Sequence, residues 1–237
     1  FERAMTALAP NALSEPVRTS FGWHVIEVLE RRRGDITGDR RRLEARKLVR
    51  THSDAATAGS SFADAPRLHP NQRSAEETLA GIAQAHAWMS LLNVQADPVY
   101  RRLVDEVLDA VRPMVEARDP GMCYRGGWIF VSSPGAVTPF HIDHEHNFIL
   151  QIRGRKRLYT WDPFDRVVVP ERGQELFHDQ HSRAGVVWDE AFRARARVFE
   201  LEPGLGGYMP STSPHMVENG DQPSITVSFT YYTDATR

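Results

Sequence analysis

The residues best suited to chemistry crowd one stretch, Thr138 to Lys156, "TPFHIDHEHNFILQIRGRK". His141 and Asp143 are two apart, which on a strand sends both side chains from one face while Ile142 points the other way. An imidazole and a carboxylate from one face supply two members of a two-histidine, one-carboxylate set, the arrangement that leaves open positions on non-haem Fe(II). A third donor must come from elsewhere, and His215 in "STSPHMVENG" is the best candidate. In a barrel of antiparallel strands, early and late strands face each other across the mouth, so that separation is workable. Taken alone, an H-x-D triplet is weak evidence, because most such triplets are surface polar residues.

Lys156 shares sequence parity with Phe148, Leu150, Ile152 and Leu158, so an uninterrupted strand would set its ammonium on an apolar face. A buried ammonium is unfavourable unless paired, and a ligand carboxylate would satisfy it. The other reading, equally weighted, is a solvated turn lysine in "RGRKR", with Gly154 breaking the register. His144 and His146 have the opposite parity to the proposed ligands and are expected on the surface or rim. Glu145 shares the ligand parity and could touch substrate or orient a ligand. Trp128, Tyr208 and Trp161 are expected to be core aromatics outside any site.

Two kinds of element must position these groups. Ser74 followed by Glu77 is a capping-box signature, predicting a helix that runs through Leu79, Ile82, Trp88 and Leu91. Asp97-Pro98 opens a second helix with Leu103, Val107, Val111 and Met114 on one stripe. From Tyr124 the character changes to eight short apolar runs broken by turn residues, among them "GGWIFVSS", "DRVVVP", "GYMP" and "SITVSFTYY". Such runs predict a closed or sandwiched antiparallel fold with helices packed outside. The stretch "VVPERGQELFHDQHSRAGVVWDEAFRA" is expected to be a selectivity loop between strands.

The blocks T-P-x-H-x-D, N-F and Q-I-x-G-x-K-R, followed by the distal His215 and the "ITV" strand, fall in order over residues 127–232. In this the chain resembles the JmjC branch of the Fe(II)- and 2-oxoglutarate-dependent oxygenases, particularly the asparaginyl hydroxylases that inhibit hypoxia-inducible factor. The resemblance implies a mainly β fold, a double-stranded β-helix of the jelly-roll or cupin kind, with flanking N-terminal helices. It implies that His141, Asp143 and His215 hold Fe(II), and that Lys156 and Thr138 bind the distal carboxylate of the cosubstrate 2-oxoglutarate. Asn147 and Ser228 sit where the family places polar groups near the metal-binding end of 2-oxoglutarate, although Ser228 stands in place of an asparagine. The implied reaction is hydroxylation of a protein side chain or small molecule with release of succinate and CO2. The alternative is a cupin-like domain that binds metal or ligand without turnover. The prime substrate cannot be read from sequence, and neither can the choice between hydroxylation and demethylation.

Residues 1–33 resemble something unrelated, the C-terminal piece of a parvulin-type prolyl isomerase, through "L-S-x-P-V-x-T-x-F-G-x-H-x-I". His24 matches a histidine of that family's active site. Only a fraction of such a domain is present, and a hairpin-sized piece buries too little surface to fold alone, so no isomerase activity is expected. Here a helix is predicted near Phe1 to Leu8 and a strand over "GWHVIEVLE". From Arg31 to Arg50 run nine basic residues against three acidic ones, which read as a solvated helix face. The expected organisation is therefore an incomplete parvulin-like and basic piece at 1–50 and a linker at 51–73. An oxygenase domain at 74–237 follows, with helices at 74–118 and the β-helix at 124–233.

Size and composition suit that reading. The chain has 237 residues, 41% of them hydrophobic and 25% charged, with a formal charge of -2, so no nucleic acid or anionic membrane is expected as an obligate partner. No apolar run approaches the ~20 residues of a membrane helix. The single cysteine, Cys123, excludes an internal disulfide. The expected compartment is the cytoplasm, with the periplasm as the alternative that the parvulin-like start brings, and a homodimer is left open. The sequence opens on Phe1 rather than Met, so a natural start and any signal peptide can lie outside it.

Overall fold

Short strands rather than helices dominate the chain from Cys123 onward. The computed structural model describes residues 74–237, together with 14–19, 22–24, 49–53, 57–61 and positions 7, 9 and 12. The chain divides into two units, Phe1–Glu44 and Ala45–Arg237. In the first, strands β1 (Val17–Thr19) and β2 (Gly22–His24) pair antiparallel. All but position 7 of the helix predicted near residues 1–8, the rest of the 22–30 strand, the basic run to residue 48 and most of the linker lie outside the described residues.

The second unit begins with β3 (Val49–Ser53), at the start of the expected linker, then α1 (Ala75–Ala80), β4 (Ala87–Leu91) and α2 (Pro98–Glu116). Strands β5 (Cys123–Ser132), β6 (Val137–His141), β7 (His146–Arg153) and β8 (Lys156–Thr160) follow, then α3 (Glu171–Gln180). The chain ends with β9 (Arg197–Leu201), β10 (Gly206–Met209), β11 (His215–Asn219) and β12 (Ser224–Tyr232). Six strands form one antiparallel sheet in the order β10-β7-β12-β5-β4-β3, and four form another in the order β6-β11-β8-β9. From β5 to β12 the chain crosses repeatedly between the two sheets, which makes the double-stranded β-helix.

Local signals explain the helix starts. At Ser74 both halves of the capping box form, with Glu77 N–H donating to Ser74 Oγ at 3.1 Å and Ser74 N–H donating to Glu77 Oε2 at 2.8 Å. At α2, Pro98 takes the first turn and the Asp97 carboxylate accepts from Val99 N–H at 2.8 Å. The predicted extent of the first helix is corrected, because it stops at Ala80 and Trp88 and Leu91 belong to β4. Strand β4 is buried on both faces, so it lacks a polar alternation to distinguish it from a buried helix, and pairing with β5 decides its state. The apolar stripe of α2 is also rotated from the predicted one. Val104, Leu108 and Val115 are buried with Val107 and Val111 beside them, while Leu103 and Met114 are exposed.

Two further differences concern the β region. "DRVVVP" is a turn whose Val168 and Val169 plug a core, whereas Val137–His141 forms the strand. The expected selectivity loop contains helix α3 and a 3-10 turn at Glu190–Arg195. Between β7 and β8 the chain turns at Gly154 with φ +71°, where a Cβ would lie 2.5 Å from Pro223 O. Buried Gln151 braces that turn, donating from Nε2 to Arg153 O at 2.6 Å and accepting from Thr226 Oγ1 at 2.8 Å. This turn resets the strand register at Lys156.

Candidate metal centre and cavity

Antiparallel pairing sets the centre. His141, the last residue of β6, is the register partner of His215, the first residue of β11. Asp143 lies just past the end of β6 in the connection to β7, so the expectation of one continuous strand face is corrected. The three nevertheless converge, each offering a ligand atom within 4.8 Å of the others. Asp143 Oδ2 is 3.4 Å from His141 Nε2 and 3.6 Å from His215 Nε2.

The imidazole tautomers follow from their second nitrogens. His141 Nδ1 is 2.6 Å from Pro139 O, and His215 Nδ1 is 2.9 Å from Ser213 O. A carbonyl can only accept, so each Nδ1 carries a proton, and the ring nitrogen turned toward Asp143 is Nε2. Burial opposes ionisation of Asp143, but His141, His215 and Arg183 together hold its carboxyl far below the usual range. Burial, with His141 alongside, pulls His215 down to about 4, so it is neutral at physiological pH. Two imidazole Nε2 atoms and one carboxylate, with the Asp143 side chain still 30% exposed, suit a divalent first-row metal with open positions.

The same groups border a cavity of about 350 Å³ that also collects Thr138, Glu145, Asn147, Lys156 and Ser228. Of the two readings of Lys156, the buried one holds, since the residue is 5% exposed. Among the described residues no carboxylate lies within ion-pairing distance of it, and burial pulls its pKa down to about 7. Ser228 Oγ and Asn147 Oδ1 are likewise buried with no hydrogen-bond partner. The Lys156 ammonium and the Ser228 hydroxyl can both donate to an anionic guest, while Asn147 Oδ1 can only accept.

Other expected positions fall elsewhere. His144 stacks on Phe177 with centroids 3.8 Å apart, and its Nε2 lies 3.0 Å from His181 Nδ1. His146 is not at the rim but buried, accepting from Tyr208 O–H at 2.8 Å and sitting 3.4 Å from Asp119 Oδ2. Trp161 is core and donates to Phe192 O at 2.7 Å. Trp128, expected outside the site, lines the cavity with Trp88 and Phe130. Arg183, which no motif pointed to, donates to Asp143 Oδ1 at 2.7 Å.

Comparison with known proteins agrees with this architecture. The model of the cupin-like domain family matches residues 49–237, more than half of the chain. Among solved structures, YcfD, a ribosomal oxygenase from Escherichia coli, in complex with cobalt and 2-oxoglutarate is similar at 19% identity and a TM-score of 0.49, over 93% of this chain and 48% of that one. An oxalate decarboxylase formate complex from Lactobacillus farciminis is similar at 15% identity and a TM-score of 0.31, over 46% of this chain and 24% of that one. Likenesses at these values bear on neither reaction nor substrate. A segment is 52% identical over 64 residues to the chaperone SurA of Methylobacillus flagellatus, covering 27% of this chain and 14% of that protein. Such matches support the parvulin-type resemblance of residues 1–33. This chain spans less than two thirds of each of these relatives. Both sheets and every polar group bordering the cavity fall within the stretch that the family model covers, and the chain belongs to the cupin-like domain family.

Proposed function

We propose that the domain is an Fe(II)- and 2-oxoglutarate-dependent oxygenase that hydroxylates a protein side chain or a small molecule. One observation carries this reading. The donor atoms of His141, Asp143 and His215 meet at the wall of a cavity whose other polar groups include a buried ammonium without a carboxylate partner. A metal alone would leave Lys156 unanswered, and a carboxylate guest alone would leave the donor cluster unexplained.

In this reading His141, Asp143 and His215 hold the metal. Lys156 pairs with the distal carboxylate of 2-oxoglutarate, and Thr138 donates its hydroxyl beside it. Ser228, whose hydroxyl otherwise lacks a partner, and Asn147, through its amide N–H, donate to the oxygens at the metal end. When bound, iron and 2-oxoglutarate would, together with O2, supply an oxidant for an unactivated C–H bond, one oxygen atom going to the product and the other to succinate, with release of CO2. Trp88, Trp128 and Phe130 wall the cavity and exclude water. Glu145, its pKa raised by burial and by Asp143, faces the same space and can accept from a donor on the substrate.

Anaerobic addition of Fe(II) and 2-oxoglutarate to the folded protein should produce the weak visible charge-transfer band of the chelate. A well-folded protein that gives no band would be a non-catalytic metal- or ligand-binding cupin-like domain.

A further inference from the structure

A carboxylate offers two oxygens, and both can reach a single cation unless one is otherwise engaged. In this protein the two oxygens of Asp143 have different surroundings. Oδ2 faces both histidine Nε2 atoms, at 3.4 and 3.6 Å. Oδ1 accepts from the guanidinium of Arg183 at 2.7 Å. The same guanidinium donates from Nε to the carbonyl of Ile142 at 2.9 Å, so one rigid fork grips two consecutive residues. That double grip fixes the Asp143 carboxylate against rotation as well as occupying one oxygen.

Arg183 is itself held in place. Helix α3 ends on His181 in a left-handed conformation at φ 52°, whose N–H bonds to Leu176 O. Gly173 of α3 and Gly185 of the following turn meet backbone to backbone, and a Cβ added at either would lie 2.5 Å from the other. The guanidinium rests over the ring of Phe177, 5.0 Å from its centroid, and Phe177 is core. A cation on a helix-anchored turn therefore acts across the opening of the β-helix on a residue about forty positions earlier.

We propose that Arg183 is a positioning residue that restricts Asp143 to coordinating through Oδ2 alone. The inference rests on the metal reading above. Its consequence is one more coordination position left open for exchangeable ligands than a carboxylate bound through both oxygens would leave. No role in binding 2-oxoglutarate or substrate is required of Arg183.

The test uses Mn(II) alone as probe, with bound water counted from the broadening of its magnetic resonance lines in 17O-enriched water. Arg183→Met should bind Mn(II) with one exchangeable water fewer than the unaltered protein. Arg183→Lys, which keeps a donor able to occupy Oδ1, should restore the count. A folded Arg183→Met with the same water count and the same Mn(II) affinity as the unaltered protein would overturn the positioning role and leave the metal reading intact. A folded lysine variant that also loses the water would overturn it too, since any donor on Oδ1 should suffice. If the unaltered protein bound no Mn(II), Fe(II) or Co(II), the metal reading and this inference would fall together.

Discussion

The inner and outer faces of the two sheets differ in chemistry in a way opposite to a simple sandwich. On the large sheet the outward side chains of β12 and β7, including Phe229, Tyr231 and Phe148, pack with Val104, Leu108 and Val115 of α2. On the small sheet Phe140, Tyr159, Trp161 and Met216 pack outward with Phe177 of α3. Between the sheets lie Thr138, Asn147, Lys156 and Ser228 with the histidine and aspartate cluster, all bordering the cavity. Ile149, Leu158, Leu201, Met209 and Val217 make a small apolar plug inside, with Trp88, Trp128 and Phe130 walling the cavity beside it. The main cores are thus outside the barrel, under helices, which leaves the interior free to hold buried polar groups that a conventional core would exclude.

If this division holds, substitutions inside should change chemistry and substitutions outside should change stability. The largest effect is expected at the centre. His141→Ala or Asp143→Ala should abolish succinate formation and metal retention, measured by turnover and metal analysis, with little change in thermal midpoint. A variant that kept full metal stoichiometry would break the comparison at its strongest point.

Outside, Leu108→Ala removes a fully buried side chain between α2 and the large sheet and should destabilise the domain by roughly 2–5 kcal/mol in urea unfolding. The protein that remains folded should bind 2-oxoglutarate as before. A large loss of affinity in that folded fraction would show that the two faces are not independent.

Lys156→Met sharpens the comparison further. Losing a charge-assisted contact of roughly 1.5–3 kcal/mol should weaken 2-oxoglutarate binding by about 10- to 100-fold, read by calorimetry. The same residue predicts a pH dependence. Unfolded, the lysine keeps its proton to near its ordinary value of 10.5, whereas folded it releases it near 7. Between those values the unfolded chain binds more protons, so stability of the ligand-free protein should rise with pH through that window. Below about 7 the full penalty of the buried charge persists. The methionine variant should lack this contribution to the slope, and an unchanged slope would place the titration elsewhere.

The smallest effect is expected at Ser228. Its hydroxyl is buried without a partner, so Ser228→Ala should leave stability within about 1 kcal/mol or raise it slightly. Affinity for 2-oxoglutarate should fall by less than about 10-fold, the value of one neutral hydrogen bond. A large destabilisation would mean that the hydroxyl has a structural role.

Much of this was legible locally. The capping box at Ser74 and the Asp97-Pro98 start work through atoms a few residues apart, so their chemistry is readable in order along the chain. The H-x-D pair and His215 stood out because imidazole and carboxylate amid apolar residues require a reason. Trp88 misled because a strand buried on both faces has no polar side to reveal its period. Arg183 had no signal, since a lone arginine in a polar segment acquires its meaning only from what folds against it. Trp128 was misplaced for a related reason, as an aromatic can face a core or a cavity from the same strand.

Strand β12, "SITVSFTYY", states the division most plainly. Its alternation of small polar and apolar side chains was determined by the sequence alone, as were the donor types and the helix starts. Period two says that the faces differ but not what either face will meet. Only the tertiary structure decided that Ser224, Thr226, Ser228 and Thr230 turn inward and that α2 covers Phe229 and Tyr231. Which side is inside depends on where the chain crosses between sheets and which helix packs beneath, and those are contacts between residues far apart in sequence.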